Sequence, residues 1–296
     1  MGFTGLARWI NAPTSGLELI NQNISRNHQG QYRGKWQLSV KSFRSTFGSI
    51  PGYQVPVERS MCALTMNENV FVLLEDPLAP TKADILHQMG DSQSHPEALL
   101  SPPHYRNAFL TLSPPGALEQ LLGQLRARWV SVRQSGSSSS SQRSQPAGQQ
   151  LSIEGHIFAI GNDWLVRVGN VILAGGAVKG MLLEAEYLPL PTMHTTTLDG
   201  TTELLSNLLT SVLPNIPDAK TVAVTITDSQ WEEVLWDREE EEQMQAEPNN
   251  KEEDLNNIYA YDDDLPVQQK GDWLGIDRDR RSAFLIMGAL RSEGIL

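Results

Sequence analysis

Residues 163–191 read DWLVRVGNVILAGGAVKGMLLEAEYLPLP, and their patterning decides the fold class. Trp164, Val166 and Val168 share one side of a period-two strand, and Arg167 falls on the other. Met181, Leu183, Ala185 and Tyr187 line one side of the next strand, with Glu184 and Glu186 opposite. Ala174-Gly175-Gly176-Ala177 supplies the turn between them. Such alternation predicts an antiparallel pair with an apolar face inside and a charged face in water.

Working back from this hairpin, SIEGHIFAI (152–160) is a third strand of the same meander, joined through Gly161-Asn162-Asp163. Further back, KWQLSVKSF (35–43) alternates Trp36, Leu38 and Val40 with polar residues. RSMCALTM (59–66) and NVFVLLED (69–76) form a strand pair around Asn67. The run Val70–Leu74 has no polar alternation and predicts burial on both faces. RNAFLTLS (106–113) is another strand, and TVAVTIT (221–227) a further one. Helical spacing appears near Ser15–Arg26 through Leu17, Ile20 and Ile24, with Thr14 or Ser15 as the cap. It recurs after Pro115 through Leu118, Leu121, Leu122, Leu125 and Trp129, and over Thr201–Leu213 through Leu204, Leu205, Leu208, Leu209 and Val212. A last helix is predicted over IDRDRRSAFLIMGALR (276–291). Strands then a helix, twice, followed by a C-terminal helix, is the order of an α+β protein, not of an alternating parallel sheet.

The chain has 296 residues and a net charge of −12. Residues 232–264 hold 14 acidic and two basic residues, so this window carries the whole excess and the remainder is neutral. Blocks of like charge repel and stay solvated, which predicts a disordered acidic insertion over 237–266. The Ser-rich stretch 134–150 has almost nothing apolar to bury and is predicted to be a disordered loop. The C-terminal piece is too short to fold alone. Residues 1–296 are therefore read as one domain interrupted by these two segments. No basic footprint dominates, so direct nucleic-acid binding is not expected. No apolar run reaches membrane-spanning length, and the N-terminus has no secretory pattern, which points to an intracellular protein.

Signals for catalysis are sparse. There is no phosphate-binding loop and no nucleophile elbow. AGGAVKG (174–180) has glycines and a lysine but joins two strands, so no helix N-terminus faces an anion there. The histidines at 28, 87, 95, 104, 156 and 194 have no metal-ligand spacing. Cys62, the one cysteine, reads as a small buried hydrophobe. Glu184 and Glu186 read as neighbours on a wet strand face, not as a catalytic pair across a cleft. Arg278, Arg280 and Arg281 in DRDRRS read as a salt-bridged helix surface. No catalytic, cofactor-binding or metal-binding residue is assigned, and no cofactor is expected.

The stretch 163–191 resembles the core signature of subunit 20 of the Mediator complex. That family shows a hydrophobic FLVKVG strand, a V-x-x-G turn region and a G-x-x-x-E-x-E-Y-x-P strand. The counterparts are Trp164–Gly169, Val171–Gly175 and Gly180–Pro189, with Glu184, Glu186 and Tyr187 in place. The Met1-Gly2 start with Thr4, the sulphur-containing pair MCALTMNENVFVLLED (61–76) and the leucine-rich helix after Pro189 agree with it. The resemblance implies a curved antiparallel β-sheet closing towards a barrel, with helices packed on it. It implies a non-enzymatic, nuclear coactivator subunit in the Mediator head module. Its expected partners are Mediator subunit 18, as a heterodimer, and subunit 8, with RNA polymerase II engaged indirectly. The competing expectation is a barrel-fold enzyme acting on phosphorylated substrates. Such a tunnel needs charged residues pointing inward from many strands. The inward face expected here is instead Trp, Val, Leu and Met.

Overall fold

The computed structural model describes residues 3–46, 57–81, 84–85, 104–124, 129–132, 151–188, 203–213, 276–292 and 294–295. The Ser-rich stretch 134–150, the acidic insertion 237–266 and the strand expected at 221–227 lie outside them.

The chain runs β1 (Phe3–Ile10), α1 (Gly16–Asn27), β2 (Gln31–Ser45), β3 (Ser60–Met66), β4 (Asn69–Glu75), β5 (Asn107–Leu112) and α2 (Ala117–Gln124). It continues through β6 (Trp129–Ser131), β7 (Leu151–Ile160), β8 (Trp164–Leu173), β9 (Val178–Tyr187), α3 (Glu203–Val212) and α4 (Ile276–Ser292). All nine described strands join one antiparallel sheet, eight of them in the order β1-β9-β8-β7-β2-β3-β4-β5 and β6 beside β2 off this path. The 15-residue β2 is its spine. One edge pairs with β7 over Gln31–Val40 and then with β6 over Phe43–Ser45, and the other edge pairs with β3. Asn67 turns the β3–β4 hairpin at φ 54°, a left-handed conformation that asparagine tolerates.

The α+β class is as expected, but the sheet does not close into a barrel. Among the described residues, β1 and β5 end it without pairing to each other. The sheet instead curves around α4. Ion pairs tie the N-terminal half of this helix to β9, while Arg280 and Phe284 lie against Phe109 of β5. Residues 281–291 of α4 are buried or half-buried on every side, with Gly288 alone exposed. Its apolar residues Leu285, Ile286, Met287 and Leu290 join Leu6, Trp36, Leu38, Val40, Leu64, Phe71, Ile153 and Leu182 in one core.

The convex face carries the other helices. α1 and α3 cover β1, β7, β8 and β9 through Ile20, Ile24, Leu205, Leu209 and Val212, packed on Trp9, Val166, Val168, Met181, Leu183 and Ala185. α2 covers the other half through Leu118 on Phe43, Met61, Val70 and Val72. With layers on both sides, β4 is buried on both faces, as its continuous apolar run requires.

Several details differ from the sequence reading. The sheet around β8 and β9 is not half-solvated, because α4 covers the charged side. Trp129 is not in the helix after Pro115: α2 ends at Gln124, and Trp129 stands in β6 beside Ser45. Leu121 and Leu204 point outward, 38% and 42% exposed. Ser15 precedes α1 but makes no side-chain cap; the Gly16 amide bonds to the Pro13 carbonyl instead.

Candidate functional site

The polar groups that the fold brings together lie under α4. Register places Arg167 of β8 directly opposite Glu184 of β9, with Leu6 of β1 next in the row. All three side chains therefore project to the α4 side. Arg167 pairs with Glu184, and its second amino group lies 3.4 Å from Glu186. From α4, Ser282 donates to Glu184 at 2.5 Å. Arg278 reaches Glu186 through Nε at 2.9 Å and Nη2 at 2.8 Å, and Arg281 reaches it at 3.5 Å. Arg278, Arg281 and Ser282 share a helix face because three and four residues make about one turn.

Burial is nearly complete: Glu184 is 0% exposed, Glu186 1% and Arg167 7%. Burial by itself lowers the Arg167 pKa, but the charges of Glu184, Glu186 and Asp279 outweigh it and raise it above its ordinary value. Arg167 is thus a permanent cation inside the protein. Arg8, buried beside this row on β1, has its pKa lowered by burial.

Glu184, Glu186 and Arg167 were expected in solvent and are instead the buried heart of the sheet–helix contact. The physical reason is the helix. Its arginines neutralise carboxylates that would otherwise cost several kcal/mol to dehydrate. The DRDRRS arginines likewise face inward: Arg278 and Arg281 pair with Glu186, and Arg280 stacks over Phe109 at 5.8 Å. The inward-facing charge that a tunnel enzyme requires is therefore partly present. It is bound up by α4, and each carboxylate has a guanidinium partner in the chain.

A second polar knot holds the β4–β5 end. Asp76, 2% exposed, accepts from Arg59 at 2.7 Å, from His104 at 2.8 Å and from the Leu78 amide at 3.2 Å. Burial pushes the Asp76 pKa up, but the hydrogen bonds from His104 and Leu78 and the Arg59 charge bring it below the usual value. Of the other histidines, His156 bonds to Asn21 and His28 to the Ser211 carbonyl. Among the described residues no cluster of His, Cys, Asp and Glu has metal-binding geometry. Burial raises the Cys62 thiol to about 12, so it stays protonated, as a buried hydrophobe should. No described helix is long and apolar enough to cross a membrane.

The surface has a different character at β5 and α2. Leu110 on the end strand is 49% exposed, and Leu121 on α2 is 38% exposed. Leu110 pairs in register with Val72, whose side chain belongs to the core under α2. Both leucines thus border that core.

Comparison with solved structures gives faint likenesses. The PH1819 protein of Pyrococcus horikoshii OT3 has a TM-score of 0.33 at 8% identity, over 74% of this chain and 95% of its own. A Vibrio parahaemolyticus protein named as an adenylate cyclase candidate gives 0.36 at 12%, over 77% and 96%. A Hippeastrum protein named as an adenylyl cyclase candidate with dominant triphosphatase activity gives 0.36 at 11%, over 78% and 94%. These scores are too low to bear on activity. No curated protein sequence matches the chain. The family described as TATA-binding related factor (TRF) of subunit 20 of Mediator complex matches residues 1–251, a span that takes in the whole sheet, the Glu184–Glu186 strand and the first three helices. The chain belongs to the Mediator subunit 20 family.

Proposed function

We propose that this chain is a non-enzymatic adaptor subunit of the Mediator head module, working in the nucleus as a heterodimer with Mediator subunit 18. Subunit 8 would tie the pair to the head, and contact with RNA polymerase II would be indirect. The family match over residues 1–251 carries this reading.

Two features of the molecule support it. The buried carboxylates Glu184 and Glu186 are held by arginines of the same chain, which leaves them structural and not reactive. The exposed leucines at β5 and α2 border a core that, among the described residues, the eight-residue helix α2 covers on the convex side. A partner laid along this border would bury them, and permanent partner interfaces have apolar centres of this kind.

Purification of the tagged full chain from nuclear extract, followed by mass spectrometry, tests the assignment. Mediator head subunits should dominate the recovered proteins. A list without them would overturn it.

A further inference from the structure

We propose that the acidic run of residues 232–264 docks, within the same molecule, on a basic surface formed by Arg26 at the end of α1 and by Arg33 and Lys35 at the start of β2. The argument begins with unspent charge. Lys41, Arg59, Arg167, Arg278 and Arg291 each have a carboxylate partner. Arg26, Arg33 and Lys35 are exposed and form no ion pair among the described residues. Among the described residues, Glu154 sits two pairs along from Lys35, opposite Gln37, and bonds to Ser152, while Glu18 lies at the other end of α1. Against these three cations stands a run with a net charge of −12 in the same chain.

The surface also presents an aromatic ring. Tyr32, between Gln31 and Arg33, is 56% exposed and stands edge-on to His156 at 5.6 Å and Phe158 at 6.0 Å. The acidic run carries Tyr259 and Tyr261 immediately before Asp262, Asp263 and Asp264. Aromatic rings beside cations suit tyrosines set among carboxylates.

The path of the chain favours this occupant over any other acidic peptide. Asn23 of α1 donates to the carbonyls of Ser211 at 3.0 Å and Val212 at 2.7 Å, and His28 lies 3.3 Å from the Ser211 carbonyl. The chain therefore leaves α3 at Leu213 beside the C-terminal half of α1. The 18 residues from 214 to 231 can span up to about 60 Å, which brings the run within reach. Tethering gives it an effective concentration on the order of millimolar, far above that of a free competitor.

Zero-length carboxyl–amine coupling on the full chain tests this, with mass spectrometry of the joined peptides. Lys179, exposed at the start of β9, is the internal control, since β9 lies three strands from the β2 of Lys35 in the sheet order. At low salt, Lys35 should couple to carboxylates of 232–264 at least about fivefold more than Lys179, and this excess should vanish near 0.5 M salt, where screening is short-ranged. Substituting Arg26→Gln with Arg33→Gln, both on the surface, should lower the Lys35 yield while the Lys179 yield holds. Equal coupling at the two lysines would overturn the proposal. So would Lys35 coupling found only between isotopically distinct copies, which would assign the surface to a second molecule.

Discussion

Arg167 on β8 and Glu184 on β9 stand directly opposite one another, and their side chains pair on the face that α4 covers. This pair, with Glu186 and the arginines of α4, joins two parts of the chain that lie about a hundred residues apart in sequence. It makes the C-terminal helix part of the core, not an appendage.

Arg167→Ala should therefore cost about 3–5 kcal/mol, since it strands Glu184 and Glu186 as buried charges. The double change Arg167→Leu with Glu184→Leu should cost less than the two single changes added, because neither partner is then left alone. Urea unfolding of the three variants measures both effects. A loss under about 0.5 kcal/mol for Arg167→Ala is what a solvent-facing arginine would give, and it would remove this account of α4.

Val168 lies one residue away with its side chain against the other face, in the core under α1 and α3. It is 0% exposed. Val168→Asp places an unpaired carboxylate there and should abolish folding, since the cost approaches a domain's whole margin of about 5–15 kcal/mol. Val168→Ala should leave a folded protein weaker by roughly 2 kcal/mol. Soluble yield and denaturant midpoint distinguish the two outcomes.

Asp76 gives a pH signature. Its folded pKa is depressed, so its stabilising contribution is complete above the unfolded carboxylate value of about 3.9 and disappears as pH falls through the folded pKa. Asp76→Asn should consequently lower stability between about pH 5 and 8, and the gap from the parent should narrow below about pH 4. A gap that widens on acidification would contradict the Asp76–Arg59–His104 arrangement.

Two glycines test the packing from opposite directions. Gly288 is the exposed position in the middle of α4, and a methyl group there meets nothing within 4 Å. Gly288→Ala should stabilise by up to about 1 kcal/mol through helix propensity alone. At Gly155 a methyl would fall 1.9 Å from the Val168 carbonyl oxygen. Gly155→Ala should pry β7 from β8 and lower the melting temperature by several degrees. Thermal unfolding of each variant reads the sign.

The strands were legible because period-two alternation survives wherever two faces differ, as at Trp36, Leu38 and Val40. Val70–Leu74 was legible for the opposite reason, since an unbroken apolar run has no wet face to offer. The same logic misplaced Glu184 and Glu186. A charged strand face looks alike whether water or a charged helix covers it. The complementary signal was Arg278, Arg281 and Ser282 at one-turn spacing, but nothing local links it to a strand some ninety residues earlier. Trp129 was misread because Leu118, Leu122, Leu125 and Trp129 keep helical spacing, whereas pairing with Phe43–Ser45 of β2 is a tertiary event. The family motif was legible throughout, since it rests on the β8–β9 hairpin itself.

Co-expression of the full chain with Mediator subunit 18, followed by purification and size analysis in about 1 M salt, tests the central claim most directly. Apolar burial is not weakened by screening. The account predicts a 1:1 species that persists in high salt, and poor solubility or self-association when this chain is made alone. A clean monomer at micromolar concentration that does not bind subunit 18 would contradict it.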